Sequence, residues 1–492
     1  MTRPTAPIEL AWTADRFAGH AVELADVLIE RLAEICEIET DITATAEASR
    51  DWWPLALHWA LAGSVPRRAA VLVRPTTTEQ ISGVLALCNE ARVPVTPTAG
   101  RSGVCGASVP VHGGVLLDLT GLDQIGDVDQ VSGVVDVQAG VFGPDLERIL
   151  NDDYRLTVGH FPQSFALATV GGWVACRGAG QYSTRYGKIE EMVVGLEVVL
   201  ADGRVIRTGG APAAAVGPDL NQLFLGSEGT LGVMTRVSLR AHPLAEAQRR
   251  AAYRLPDLAT GFETVRQIIR RGATPAVLRL YDGIESARSH DGDGTMCTLL
   301  VLDEGDETLI EAAMTIVDDV AGTLGQPAED QLVADWLERR NDTSALQALS
   351  RKGLVVDTME VAAPWSRLGD VHAAATQALT AVPHALVASC HLSHSYLDGA
   401  CLYFTFAAHP PAEQIESTYI ALWDAGQRAV LASGGNLSHH HGVGLNRARF
   451  MVEALGPAHD VLVRLKHALD PHGILNPGKL GFPSPFGAAS WP

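Results

Sequence analysis

The feature that most restricts the fold is a strand–helix–strand unit that runs directly into a glycine-rich loop. The short apolar runs "AAVLVRP" and "VPVTP" predict two buried strands, and the apolar spacing of "ISGVLALCNEA" between them predicts a helix. The second strand is followed by "TAGRSGVCGASV", in which Gly100, Gly103 and Gly106 are spaced by three. Glycines let a backbone approach a ligand closely, so this loop predicts a ligand site at the end of a strand.

Two more glycine-rich segments follow, so that three occur in order along the chain, each next to a strand. They are "PTAGRSG" (97–103), "TVGGWVACRGAG" (169–180) and "GSEGTLGVM" (226–234). Each alone is more typical of a tight turn, but the three together favour a cradle for the pyrophosphate of a dinucleotide. None completes the G-x-G-x-x-G fingerprint, which argues against an ordinary Rossmann NAD site.

The composition indicates which kinds of partner and which cellular compartment to expect for this chain. The 492 residues carry a formal net charge of -20, which argues against nucleic acid or an anionic membrane as the main partner. No apolar run is long enough to cross a bilayer, and the N-terminus lacks the pattern of a secretory signal. The seven cysteines contain no CxxC pair, so we expect free thiols in a reducing cytoplasm.

The order of the predicted helices and strands along the chain predicts an α+β protein with two main domains. Apolar spacing predicts helices in the first segment, and short β-rich runs separated by turns follow it. Helices then alternate with strands, which predicts a helix-covered sheet as a separate substrate (cap) domain. The predicted parts are a helical segment (1–65), a cofactor domain (66–245), the substrate domain (246–435) and a C-terminal segment returning to the cofactor domain (436–492).

Several stretches resemble one family. "PTAGRSGV", "GHFPQSFALATVGGWVACRGAG", "RYGKIEEMVVGLEVVLADG" and "GSEGTLGVMT" are similar to the FAD-binding domain of the vanillyl-alcohol-oxidase (PCMH) type, and the ending "DPHGILNPGKL" is typical of it. The resemblance implies FAD as cofactor. The residues it implies for FAD binding are Pro97, Thr98, Ala99, Gly100, Arg101, Ser102, Gly103, Pro162, Gln163, Ser164, Ala168, Thr169, Gly172, Ala175, Cys176, Arg177, Gly178, Glu228, Gly229, Thr230, Leu231, Gly232, Val233 and Met234.

The resemblance also bears on how FAD is held. Some members of the family tether FAD through a histidine in the first loop or a cysteine in the second. Here Arg101 stands where the histidine would be, and the second loop has no cysteine. We therefore expect non-covalent FAD, with Cys105 as the alternative tether and a structural role for His160.

The triplet "HHH" at 439–441 has three interpretations: a metal site, an acid–base cluster or a hydrogen-bonded structural element. Along an extended strand His439 and His441 would share one face and His440 the other, so the three could not reach one ion. No Asp, Glu or Cys in the immediate neighbourhood completes a ligand set, so we predict no metal. A tyrosine beside an imidazolium would ionise more easily, which favours the acid–base interpretation.

Two segments outside the cofactor region resemble a narrower family, the alkylglycerone-phosphate synthases. "SYLDGACLYFTF" is similar to that family's catalytic-tyrosine segment and "GGNLSHHHGVG" to its histidine triplet. The resemblance implies that Tyr396 is an acid–base group and that His439, His440 and His441 assist it. It also implies that the substrate carbon is activated at N5 of the flavin without net redox change.

One position departs from that family. Its anion-binding arginine falls on Leu346 without gaps, although Arg339, Arg340 and Arg351 are close in sequence. An arginine inside an apolar strand needs an anion partner, so we predict Arg279 and Arg340 as substrate-binding residues.

The departure leaves three functions open. The alternative to the synthase is an FAD-linked oxidase or dehydrogenase of an alcohol or 2-hydroxy acid that uses the same histidines. A silent flavin-binding protein is the third, and the intact tyrosine and histidines argue against it. We expect a small-molecule substrate and leave a homodimer as an option.

Overall fold

The computed structural model describes residues 8, 10, 13–19, 21–489 and 491. Among its described residues, the first segment holds three short helices and three short strands rather than helices alone. These are β1 (Ala14–Asp15), α1 (Asp26–Ile35), β2 (Glu37–Glu39), α2 (Ile42–Ala48), α3 (Pro54–Leu61) and β3 (Ser64–Val65).

The predicted strand–helix–strand unit forms the first of the larger sheets. It contains β4 (Val71–Arg74), α4 (Thr78–Ala91), β5 (Val95–Thr98) and β6 (Val115–Asp118). The four strands lie in the order β2-β4-β6-β5, with β6 parallel to both of its neighbours. The buried face of α4 packs on the sheet through Ile81, Val84, Leu85 and Cys88. The glycine-rich loop therefore begins where β5 ends at Thr98.

A second, antiparallel sheet follows. Its region contains β7 (Ile125–Asp129), β8 (Val134–Gln138), α5 (Gly143–Ile149), β9 (Leu156–Thr157), α6 (Val170–Cys176), α7 (Ser183–Tyr186), α8 (Ile189–Met192), β10 (Val193–Val199), β11 (Val205–Gly209), α9 (Leu220–Phe224) and β12 (Val233–Arg240). Five of its strands lie in the order β11-β10-β12-β8-β7. The second glycine-rich segment enters α6, and the third precedes β12, so both end beside this sheet.

The third sheet has seven strands. Its region contains β13 (His242–Pro243), β14 (Ala247–Leu255), α10 (Leu258–Arg270), β15 (Val277–Tyr281), α11 (Gly283–Ser289), β16 (Cys297–Gly305), α12 (Glu307–Leu324), β17 (Gln326–Ala328), α13 (Gln331–Arg339), α14 (Ser344–Arg351), β18 (Val355–Pro364), α15 (Leu368–Thr380), β19 (Ala385–Ser395), β20 (Gly399–Ala408) and α16 (Ile415–Ala432). The order is β17-β14-β16-β15-β19-β20-β18, and the recorded pairings are antiparallel.

The two faces of this sheet differ in chemistry because side chains alternate along a strand. On β15, Leu278 and Leu280 belong to the apolar core that includes α10, α12, α15 and α16. Arg279 and Tyr281 point the other way and line a cavity. The same alternation places Tyr403 of β20 on the cavity side. One face of this helix-covered sheet is therefore polar, and it borders the cavity.

The chain ends with α17 (Met451–Leu455) and α18 (Ala458–Leu469), then returns to the first sheet. The N–H of Val95 donates to Ile474 and the N–H of Asn476 donates to Val95, each at 2.8 Å. The α+β prediction is confirmed, and all seven cysteines are free thiols, as expected. None of the described helices has the length and hydropathy needed to span a bilayer. The four predicted segment boundaries stay predictions.

Candidate active site

A cavity of about 650 Å³ lies between the glycine-rich loops and the polar face of the seven-stranded sheet. All three glycine-rich segments contribute to its wall. Among the residues predicted to bind FAD, 21 line the cavity, and the exceptions are Arg177, Thr230 and Leu231. Sequence reasoning missed Trp52, which comes from the N-terminal segment, and Val104, Ala107 and Ser108, which continue the first loop; Cys105, the alternative tether, lies on the same wall.

The three exceptions have partners elsewhere. Arg177 donates to Gln222 at 2.5 Å and lies 3.8 Å from Glu190. The Thr230 hydroxyl donates to the backbone oxygen of Ser227 at 2.6 Å, and Leu231 belongs to an apolar core cluster. These three side chains stabilise the loops rather than facing the cavity.

The first loop fits a pyrophosphate. The N–H groups of Arg101, Ser102 and Gly103 donate to no acceptor within the described chain, although the loop borders the cavity. Buried or cavity-facing N–H groups need a partner, and phosphate oxygens supply one. Gly229, at φ +72°, lets the third segment lie against the first, because a Cβ there would come within 2.7 Å of Pro97. The residues present therefore fit a dinucleotide.

On the polar face of the seven-stranded sheet, Arg279 is held by a buried network. Its Nε donates to the Tyr281 hydroxyl at 2.9 Å, and its Nη2 lies 2.6 Å from Nε2 of His391. Nδ1 of His391 lies 2.8 Å from a carboxylate oxygen of Glu285. Burial raises the pKa of Glu285, but His391 and Arg288 outweigh it and bring that pKa down to about 2. Nη1 of Arg279 has no acceptor among the described residues.

Further arginines surround the same part of the cavity. Arg288, Arg339 and Arg340 line it together with Arg279. The guanidinium of Arg340 stacks over aromatic rings, 5.0 Å from the Tyr182 centroid and 5.6 Å from that of Trp336. This part of the wall therefore carries four arginine cations and two carboxylates, those of Glu285 and Asp335. Leu346, the ungapped position of the synthase arginine, packs in another apolar cluster and lies off the cavity wall.

The histidine triplet does not form a strand, so the expected alternation of faces is wrong. Residues 436–444, which we call the histidine loop, have no helix or strand assignment. His440 and His441 line the cavity, whereas His439 and Tyr396 lie behind the wall. Nδ1 of His439 is 2.7 Å from Nδ1 of His440, and Nε2 of His439 is 2.6 Å from the Tyr396 hydroxyl. The tyrosine is therefore connected to the cavity through two imidazoles.

Burial sets the protonation of this chain of groups. It lowers the pKa of His439 and of His440 well below the usual histidine value; Lys188 acts in the same direction on His439, and Glu360 opposes the lowering at both residues. Burial also raises the pKa of Tyr396. The expectation that an imidazolium favours the phenolate is therefore wrong, because all three groups are held in their neutral forms.

A third histidine from a distant part of the chain joins this group. Ring nitrogens of His394, His439 and His440 all lie within 4.8 Å of one another, a spacing that a metal ion could also use. Nδ1 of His394 already lies 2.6 Å from the Ser183 hydroxyl. The direct contact of the two Nδ1 atoms of His439 and His440 is that of a hydrogen bond, which agrees with the acid–base interpretation. The absence of a metal stays a prediction.

Three charged residues hold the histidine loop: Glu360 and Lys188, which sequence reasoning missed, and Glu228, which it predicted only for FAD binding. Glu360 of β18 accepts from the N–H groups of His440 and His441, and Lys188 donates to the backbone oxygen of His439 at 2.7 Å. The Glu228 carboxylate accepts from the N–H groups of the two residues that end the loop, Val443 and Gly444. No local pattern marks these contacts, because the partners lie tens to hundreds of residues apart.

Comparison with known proteins identifies the family. Residues 69–209 match "FAD binding domain" and residues 244–480 match "FAD linked oxidases, C-terminal domain". The protein called "Uncharacterized FAD-linked oxidoreductase YgcU" of Escherichia coli (strain K12) is 33% identical over 430 residues, which cover 84% of this chain and 88% of that protein. The chain belongs to the FAD-linked oxidoreductase family. FAD is its cofactor, and it is an FAD-dependent enzyme.

Other relatives of this FAD-linked oxidoreductase have different activities. The alkyldihydroxyacetonephosphate synthase of Dictyostelium discoideum is 28% identical, over 85% of this chain and 74% of that protein. The glycolate oxidase subunit GlcD of Bacillus subtilis (strain 168) is 29% identical, over 83% and 88%. A solved alkyldihydroxyacetonephosphate synthase structure has a TM-score of 0.76 at 23% identity, over 96% of this chain and 88% of that chain, and shows the shared fold. The predicted resemblance is thereby confirmed.

Proposed function

We propose that this FAD-linked oxidoreductase oxidises the hydroxyl-bearing carbon of a small anionic substrate, of the class of 2-hydroxy acids. The observation that carries the proposal is the composition of the substrate-side wall. Among the described residues on that side of the cavity none is aliphatic. They are Arg279, Tyr281, Glu285, Arg288, Ser289, His290, Asp335, Trp336, Arg339, Arg340, Thr343, Thr358, His391, Ser393, His394, Tyr403, Thr405, His440 and His441.

Arg279 is the group proposed to bind the substrate carboxylate. The residue is 8% exposed, and its guanidinium is positioned by Tyr281 and His391, whereas Nη1 keeps an unused N–H pair. Because His391 accepts at Nε2 and donates to Glu285, it orients the guanidinium without cancelling its charge. A fixed, partly desolvated arginine binds a carboxylate with two parallel hydrogen bonds. Arg340 is proposed as the second cation of the anion site.

His440 is the group proposed to accept the hydroxyl proton. In the tautomer that can do so, Nδ1–H of His440 donates to Nδ1 of His439, and Nε2–H of His439 donates to Tyr396. Nε2 of His440, a residue of the cavity wall, then remains as the acceptor. When a proton is taken at Nε2, His440 gives its Nδ1 proton to His439 and His439 gives its Nε2 proton to the oxygen of Tyr396. Tyr396 then releases its own hydroxyl proton to water, because it lies in the β19–β20 turn and is partly exposed. The histidines and Tyr396 thus act as one acid–base unit.

When bound, FAD supplies the ring that takes up the two electrons removed from the substrate carbon. We expect the chain to hold it without a covalent link, through the unpaired N–H groups of the first loop. A cytoplasmic location and a homodimeric state belong to the same proposal, and cell fractionation and analytical ultracentrifugation test them.

A second candidate is the redox-neutral, alkylglycerone-phosphate-synthase-like reaction at flavin N5. The contact between Tyr396 and His439 favours it, because it pairs the tyrosine and the triplet that the resemblance implies as acid–base groups. The arginines would bind a phosphate as readily as a carboxylate. A substrate with a long alkyl chain, however, meets only polar and aromatic side chains on this wall.

The test is anaerobic mixing of the FAD-loaded enzyme with a panel of 2-hydroxy acids and simple alcohols. The proposal expects a 2-hydroxy acid to bleach the flavin absorption and to form the 2-oxo acid in equal amount. Release of fatty acid from acyl-dihydroxyacetone phosphate, without bleaching by any hydroxy acid, would support the second candidate instead. Metal analysis of the same preparation tests whether the histidines hold an ion.

A further inference from the structure

We propose that Glu360 is a positioning residue: its carboxylate sets the place of His440 and His441 in the cavity wall without itself touching the substrate. The inference builds on the acid–base role given to the histidines in the proposed function. Glu360 is fully buried on β18, opposite Tyr403 of β20, and does not line the cavity.

The contacts of Glu360 converge on the histidine loop. Oε1 accepts from the peptide N–H of His441 at 2.8 Å, from that of His440 at 3.1 Å and from the Ser438 hydroxyl at 2.6 Å. Nδ1 of His441 lies 2.9 Å from Oε2, at ion-pair distance but without hydrogen-bond alignment. One carboxylate therefore holds two consecutive peptide groups and one imidazole of the acid–base unit.

The carboxylate is itself fixed by a buried cation. Arg447 is fully buried and donates to both carboxylate oxygens of Glu360, through Nη1 at 3.1 Å and through Nη2. Nη1 also donates to the backbone oxygen of Leu437, in the same loop, at 3.0 Å. Burial acts to raise the pKa of Glu360, but Arg447 and His441 outweigh it, so the carboxylate stays charged. A charged acceptor makes stronger hydrogen bonds to N–H groups than a neutral one.

The loop needs such a partner because it has no regular hydrogen bonding of its own. Outside a helix or strand, the direction of each imidazole depends on where the individual peptide groups are held. A fully buried ion pair is commonly no more stabilising than well-packed apolar residues. Fixing a geometry is a role that apolar residues could not fill here, because they offer no acceptor to the N–H groups of His440 and His441.

The first measurement needs no substrate. Hydrogen–deuterium exchange of the FAD-loaded enzyme is followed by mass spectrometry in the peptide that covers 436–447. Glu360→Gln keeps the shape and removes the charge, and we expect exchange there to become about tenfold faster. Glu147→Gln is the matched control, because Glu147 is another buried carboxylate and accepts from Val158 and Thr157, away from the loop. Unchanged exchange in E360Q, or an equal change in E147Q, overturns the proposal.

The second measurement is the rate of anaerobic flavin reduction, with D-lactate as the first probe and then whichever acid of the panel reduces the wild type. We expect E360Q to lower this rate about 10²-fold, because displacement by about 1 Å has that effect. In a variant that already carries H440N, adding E360Q should not lower the rate of flavin reduction any further, because Glu360 acts through His440. An equal loss in both backgrounds means general damage and overturns the proposal.

If E360Q fails to fold, because Arg447 is left as an unpaired buried cation, the double variant E360Q/R447Q replaces it. Its two amides can bond to each other without a charge. We expect the same faster exchange in 436–447, and normal protection there overturns the proposal. Should no acid reduce the wild-type flavin, the proposed function fails, while the exchange experiment still decides whether Glu360 positions the loop.

Discussion

Nζ of Lys188 lies 2.7 Å from the backbone oxygen of His439, so a cation next to α8 holds the histidine loop from the cofactor side. Lys188 is 9% exposed and also lies 3.1 Å from Glu190. Glu360 holds the same loop from the substrate side. The histidine loop is therefore held by opposite charges, one next to α8 and one on β18, and its geometry depends on how these two elements are placed.

Replacing Lys188 with methionine should slow flavin reduction without releasing FAD. A hydrogen bond to a charged group contributes about 1.5–3 kcal/mol, so its loss lets the His439 carbonyl move and should lower the rate by about 10-fold or more. Anaerobic stopped-flow measures the rate, and ultrafiltration measures retained FAD. Lys352→Met, at an exposed site, is the control. A wild-type rate in K188M would show that the contact does not matter for the reaction.

Tyr396→Phe should keep the flavin spectrum and slow turnover. The hydroxyl at 2.6 Å from His439 is the last group of the proposed proton path, and general acid–base groups contribute about 10²–10⁴-fold. We expect a loss near the lower end, because His440 would still accept the proton. Tyr154→Phe, outside the cavity wall, serves as control. Full activity in Y396F removes the tyrosine from the mechanism.

Arg279→Met should weaken binding of an anionic substrate much more than that of a neutral alcohol. The lost charge-assisted hydrogen bonds correspond to about 1.5–3 kcal/mol, or about 10- to 10²-fold in kcat/KM. Steady-state kinetics with acid and alcohol substrates measures the ratio. Arg351→Met is the control, since Arg351 is exposed and lies off the cavity wall. Equal losses for both substrate types would contradict an anion-binding role.

Asp51→Asn should change how stability depends on pH. Burial raises the pKa of Asp51 to about 7, whereas an unfolded aspartate ionises near about 3.9. Between these values the unfolded state releases the proton first, so rising pH destabilises the folded wild type. The free energy of unfolding of D51N, relative to wild type, should therefore increase from about pH 4 to about pH 7. Urea titrations measure it, with exposed Asp152→Asn as control; parallel curves for D51N and wild type would refute it.

FAD should leave the protein on denaturation. Precipitation with acid is expected to put all of the flavin in the supernatant, because the first loop offers unpaired N–H groups rather than a tethering histidine. Cys105, buried on the cavity wall, is the thiol to check. Cys105→Ser should bind FAD as wild type does. Flavin that stays with the pellet in wild type but not in C105S would identify Cys105 as a covalent tether.

The sequence by itself determined the FAD cradle and the α+β layout. Glycine spacing, strand ends and apolar periodicity are local signals, and local backbone freedom is what a pyrophosphate loop requires. The family resemblance, in turn, implied the individual FAD residues, and almost all of them line one cavity although they come from three separate segments. The sequence also singled out Arg279, which lies on the cavity wall; its predicted anion partner stays a prediction.

Only the tertiary structure decided how the histidines are used. Consecutive histidines were expected to alternate as in a strand, but Glu360 and Lys188 hold the peptide groups in a loop instead. His394, which lies 45 residues before His439, completes the imidazole cluster, and burial reverses the expected ionisation of Tyr396. Contacts between distant residues and the removal of water depend on packing in three dimensions, which no short window of sequence contains.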